Sequence, residues 1–138
     1  MKSILIAVGK AKAPFAEADA HYLKLLARSM PIELIEVRDD DAIALRIPER
    51  CRVVALDVEG AQRDSMEWAI WLERRRLDAL DLCFIIGGPH GLPDEVVDRA
   101  DEAISLGRQT IAHQLARAVL LEQLFRANKI LAGETYHY

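Results

Sequence analysis

Apolar positions along the chain fall into five short runs, and longer stretches of helical periodicity separate them. The first run, within residues 2–9, is Ile4-Leu5-Ile6-Ala7-Val8 and stops at Gly9, which reads as a strand. Pro14 is placed to open a helix over 14–29, and Pro31 closes it. Ile32-Glu33-Leu34-Ile35-Glu36-Val37 alternates apolar and acidic residues, the mark of a half-buried strand. Asp39-Asp40-Asp41 then reads as a turn and cap for a short helix ending near Pro48. A third strand is expected over 53–58, closed by Glu59-Gly60. A helix capped by Asp64 and Ser65 follows over 65–77, with Trp68, Trp71 and Leu72 on its inner face. Residues 82–86 form a fourth strand, 94–100 a helix and 103–106 a weak fifth strand. The last helix spans 112–131 and ends at Gly133, a suitable C′ residue. Alternating strands and helices predict an α/β fold, a mainly parallel sheet with helices on both faces. No linker or repeat divides the chain, so residues 1–138 are expected to form a single domain.

The fourth apolar run breaks into Gly87-Gly88-Pro89-His90-Gly91-Leu92. Ligands of α/β proteins bind at the carboxyl ends of strands. Three glycines there can take positive φ and let a ligand lie on the backbone, and a side chain at Gly87 would then intrude on it. A tight strand-to-helix turn explains the same residues. Neither GxGxxG nor GxxxxGK[ST] is present, so a nucleotide phosphate is not the favoured ligand.

Composition narrows the classes. Half of the residues are apolar and 29% are charged, ordinary for a globular protein. No apolar stretch is long enough for a membrane span, and the N-terminal run is too short and β-rich for a signal peptide. A cytoplasmic protein is expected. Cys51 and Cys83 lack metal-site spacing and read as buried thiols. The acidic triplet points its carboxylates in different directions, so no metal is expected. A net charge of −4 gives no support to a generic nucleic-acid binder, and Arg74-Arg75-Arg76 reads as the solvated end of a helix.

Three separated segments carry a more specific pattern. They are the strand ending Ala7-Val8-Gly9-Lys10, the loop 86–92, and the C-terminal part. That part holds His113, Glu122-Gln123-Leu124-Phe125-Arg126-Ala127 and Gly133-Glu134-Thr135-Tyr136-His137. In this order they resemble the RlmH-type family of small SPOUT-class methyltransferases, which modify a pseudouridine of large-subunit ribosomal RNA. The resemblance covers nearly the whole chain. It implies a C-terminal trefoil knot, S-adenosyl-L-methionine as cofactor, and a homodimer whose active sites draw on both protomers. The cofactor positions it implies are Leu56, Gly87, Leu106, Gly107, Arg108, Gln109, Thr110 and Ile111. Catalytic positions carry over to His113, Arg126, Tyr136 and His137. The chain departs from the family in a shortened 38–50 region, in His90, in Ala112 where proline is common, and in Tyr138, where a basic residue often follows Tyr-His.

The implied reaction methylates N3 of a pseudouridine, and that nitrogen must lose a proton. Histidine is the natural base, with His113 and His137 as candidates. His21 is expected at the surface. Arg126 and Tyr136 would orient the base, although Arg126 could equally pair with Glu122 four residues earlier. The acidic chain points to the ribosome rather than bare RNA as substrate. Two other readings use the same fold: a ribosome-binding or assembly protein without turnover, and a cofactor-binding regulator. A dimer through the last helix is expected, because Leu115, Val119, Leu120, Leu121, Leu124 and Ile130 exceed one narrow stripe.

Overall fold

The computed structural model describes residues 1–136. Five parallel strands stand in the order β2-β1-β4-β3-β5. They are β1 (Ser3–Val8), β2 (Ile32–Val37), β3 (Cys51–Gln62), β4 (Asp81–Ile86) and β5 (Glu102–Ser105). The helices are α1 (Phe15–Leu26), α2 (Ser65–Asp78), α3 (Asp94–Arg99) and α4 (His113–Ala132). Two 3-10 turns, Asp40–Ala42 and Ala44–Arg46, stand in place of the short helix expected before Pro48.

Strand alternation divides the core. Leu5, Val54, Leu82, Phe84, Ile86 and Ile104 face the layer of α1, α2 and α4. Ile4, Ile6, Val8, Val53, Cys83 and Ile85 face the 3-10 turns and α3, where Ile43 and Val96 are buried. β1 and β4 are central and covered on both faces, so they read as continuous apolar runs.

Local chemistry sets the element ends. Asp39 accepts from the Ala42 N–H at 3.1 Å, the capping role expected of the acidic run. Asp64 and Glu67 form a reciprocal capping box at the start of α2. Gly133 ends α4 in the left-handed conformation, with φ 70°. Among the described residues no helix is long and apolar enough to cross a membrane.

β3 departs most from expectation, running well past Val58. Leu56 and Ala61 both pair with Ile104, so residues 57–60 leave the ladder as a bulge before it resumes. A Cβ on Gly60 would lie 2.6–2.7 Å from the backbone of Ala103 and Ile104. Glycine is required there because the bulge packs directly on the β5 main chain.

Candidate functional site

A pocket of about 540 Å³ opens at the carboxyl ends of β3, β4 and β5. Its apolar wall is built from Leu56, Ile86, Leu92, Ile104, Leu106 and Ile111. Most of the other lining residues come from two loops, between Gly87 and Leu92 and between Leu106 and Ala112, closed by His113 and Ala116 from the first turn of α4. Apolar walls suit a heteroaromatic ring, and loop N–H and C=O groups suit polar ends. The volume is in the range of small-molecule sites. Leu56, Gly87, Leu106, Gly107, Gln109, Thr110, Ile111 and His113 all line this cavity. Arg108 is exposed and does not.

The glycine loop differs in detail from expectation. Only Gly91 of its three glycines has positive φ, at 81°. A Cβ at Gly87 would meet Leu92 Cδ2 at 2.9 Å and the Gly91 carbonyl oxygen at 3.0 Å. A substitution there therefore collides first with its own loop, not with a ligand. Gly88 lies against Val8 and donates its N–H to Asp40 Oδ1 at 3.0 Å. Asp40 thus anchors the loop, a role its place in an acidic run did not reveal. Asp57 and Val58 enter the pocket rim through the β3 bulge, which no local pattern signalled.

Arg117 fixes α4 to the sheet. It is fully buried and donates to Glu36 Oε2 at 2.7 Å, the Val8 carbonyl at 2.9 Å and the Gly9 carbonyl at 2.6 Å. Burial alone would raise the Glu36 carboxyl. The hydrogen bonds from Arg117 and the Ala11 N–H, with the nearby positive charges, outweigh it and hold the group below its usual range. Asp19 sits 3.7 Å from Arg117 but makes no hydrogen bond with a described residue, and burial pushes its carboxyl up. Gln114 adds a further tie, accepting from the Lys12 N–H at 3.0 Å. The pocket-facing first turn of α4 is thereby locked to the end of β1. Helical spacing does place Arg117 on the stripe of Leu120, Leu124 and Asn128, all buried, so this signal was present in the sequence.

Arg126 and Tyr136 lie elsewhere. Tyr136 packs edge-on against Phe125, with ring centroids 4.8 Å apart, and donates to Glu122 Oε2 at 3.0 Å. Arg126 donates to the same oxygen at 2.9 Å and lies over the Tyr136 ring. Burial, then the Glu122 carboxylate, push the Tyr136 hydroxyl up to about 12. Arg126 and Tyr136 are not among the residues lining the pocket of their own chain. His137 lies outside the described residues. His21 is exposed as expected, and burial raises the Cys83 thiol to about 12, as befits an inert core residue. No group of three metal-ligating side chains occurs among the described residues.

A parallel sheet with a loop-built pocket at its carboxyl edge defines the class as an α/β ligand-binding protein. Residues 1–137 match the family model described as "Predicted SPOUT methyltransferase", and the chain belongs to that family. It is 42% identical to the Ribosomal RNA large subunit methyltransferase H of Rubrobacter xylanophilus, covering 99% of this chain and 98% of that one. The protein of the same name from Anaeromyxobacter sp. is 41% identical, covering 99% of each chain. Among solved structures, a probable methylase family protein from Haemophilus influenzae superposes with a TM-score of 0.65 at 11% identity, over 99% of this chain and 70% of that one. The SpoU methyltransferase AviRb from Streptomyces viridochromogenes, solved in complex with AdoMet, gives 0.51 at 11% identity, over 96% and 58%. These two likenesses concern the fold.

Proposed function

We infer that this protein is an S-adenosylmethionine-dependent methyltransferase of large-subunit ribosomal RNA, with N3 of a pseudouridine as acceptor. The observation that carries the reading is the cavity between the two loops, in a chain about 40% identical along its length to proteins named as ribosomal RNA methyltransferases. The cofactor supplies an electrophilic methyl group. Leu56, Ile86, Leu106 and Ile111 offer its ring an apolar slot, and the main chain of residues 87–91 and 107–110 offers hydrogen-bonding groups. His113 stands at the pocket edge, where it can accept the proton that leaves the acceptor nitrogen.

Geometry also favours a homodimer with composite sites. Arg126 lies thirteen positions beyond His113 on one continuous helix, about 20 Å away at roughly 1.5 Å per residue. That separation favours a site that takes the two from different chains. A second copy can supply Arg126, Tyr136 and His137 to the pocket of the first. The C-terminal threading implied by the family and the single-domain reading belong to the same proposal. The assembled ribosome is the proposed substrate, since a chain of net charge −4 binds bare RNA weakly.

Calorimetry with S-adenosylmethionine, followed by methyl incorporation into unmethylated ribosomes and mapping of the modified nucleotide, tests the reading. Cofactor binding and one methylated pseudouridine are expected. Binding without transfer would favour a regulator or assembly factor, and absence of binding would remove the cofactor site.

A further inference from the structure

The β5 edge carries a group of side chains that the pocket chemistry does not use. Glu102 receives Arg52 Nη1 at 3.2 Å, Arg75 Nη1 at 3.4 Å and Trp71 Nε1 at 2.8 Å, and Arg63 Nη2 pairs with it at 3.5 Å. Asp78 pairs with Arg75 Nε at 3.0 Å and Arg52 Nη2 at 3.5 Å. The guanidinium carbons of Arg63 and Arg75 lie 5.8 and 5.9 Å from the Trp71 ring centroid. A cleft of about 360 Å³ opens among Arg63, Trp71, Arg74 and Arg75.

The charges in this cluster do not balance. Arg52, Arg63, Arg74 and Arg75 face Glu67, Asp78 and Glu102. Glu67 is already engaged, its Oε1 accepting from the Asp64 N–H at 3.0 Å. Arg63 Nη1 and Arg52 Nε are buried donors with no acceptor among the described residues. Arg74 is exposed and forms no ion pair with a described residue. Unmet buried donors are costly, so the cluster is short of acceptors. An acidic chain keeps a local positive excess here.

The location is also informative. Arg63 follows Gln62, which pairs with Ser105, and the next residue after Ser105 is the pocket residue Leu106. Val58, earlier on β3, also lines the pocket. Glu102 opens β5 and Leu106 follows its last residue, so the cluster lies along the same short edge strand, at its amino end, with the pocket at its carboxyl end. Glu102 and Asp78 hold Arg63 and Arg75 in place, which lowers the cost of ordering them on a ligand.

We propose that Arg63, Arg74 and Arg75 form a phosphate-binding subsite for the RNA strand flanking the methylated nucleotide. This rests on ribosomal RNA being the substrate. Guanidinium groups supply paired donors to phosphate oxygens, and Arg74 adds an exposed charge at the cleft mouth.

The test measures binding of the full chain to purified ribosomes across a salt series, for wild type, Arg74→Gln and Arg63→Gln/Arg74→Gln. Each lost phosphate contact should weaken binding about fivefold near physiological salt and flatten the log–log salt dependence by about 1. Affinity for S-adenosylmethionine should stay unchanged. Arg74 is exposed, so its substitution leaves the packing intact, and a thermal melt checks the double variant. Unchanged affinity and slope in both variants would overturn the subsite, as would a wild-type protein that does not bind ribosomes. Methyl transfer is scored separately. Salt-sensitive binding that depends on these arginines, without transfer, would leave the subsite standing and remove the enzymatic reading.

Discussion

Glu36 and Asp19 face the same buried guanidinium and titrate in opposite directions. Glu36 is held below its usual range, so its ionised form is favoured in the folded protein. It contributes stability above its unfolded value near 4.5, and that contribution is lost as pH falls through the folded value. Glu36→Gln keeps an acceptor but loses the charge, and should cost about 1–2 kcal/mol at neutral pH, the excess of a charge-assisted over a neutral hydrogen bond. The gap between variant and wild type in urea melts should close below pH 4.5. Asp19 has the opposite sign. Burial raises it, so its stabilising form is the protonated one, present below 3.8 and lost as pH rises through the folded value. A gap for Glu36→Gln that widened in acid would show that Arg117 does not hold this carboxylate as described.

Elements were legible in proportion to how local their causes are. The α2 capping box, the Gly133 stop and the runs of β1 and β4 follow from spacing and residue type. The β3 bulge does not, because it depends on the close approach of Gly60 to a strand some forty residues later. The two loops expected to hold the cofactor follow from the family resemblance, and nearly all of their expected residues line the pocket. Asp40 acts on backbone distant in sequence and carries no local signal; for Arg117 helical spacing marks the buried stripe, while its partners on β1 and β2 are distant in sequence. The apolar excess of α4 predicts a dimer face, and of its residues Leu120, Leu121 and Leu124 are buried within the protomer, in the layer shared with α1 and α2. The bulge yields its own prediction. Gly60→Ala would force the β5 backbone away and should cost about 1–3 kcal/mol, the usual scale of overpacking. Because Val58 and Leu106 flank that contact and line the pocket, cofactor affinity should fall with stability. Calorimetry and a thermal melt on the same sample check this, and an unchanged melt would mean that the bulge relaxes freely.

At the scale of the whole molecule, one outward stripe of α4 remains. Leu115 is 43% exposed, and Val119, Glu122 and Arg126 follow it at helical spacing, each half-buried. Tyr136 lies on the same stripe through Glu122 and Arg126. A two-fold interface on this stripe would carry Arg126 and Tyr136 of one copy toward the pocket of the other. Leu115→Glu should then give a monomer by sedimentation, folded but without transferase activity. Subunit mixing tests the composite site itself. His113→Ala and Tyr136→Ala are each expected to be nearly inactive as homodimers. After the two variants exchange subunits, half of the dimers should be mixed. Each mixed dimer holds one site with both defects and one site with neither, so roughly a quarter of wild-type activity should return. If His113 and Tyr136 served the same site within one chain, every site in the mixture would carry one defect. No activity would return, and the assignment of Tyr136 to the partner's pocket would fail.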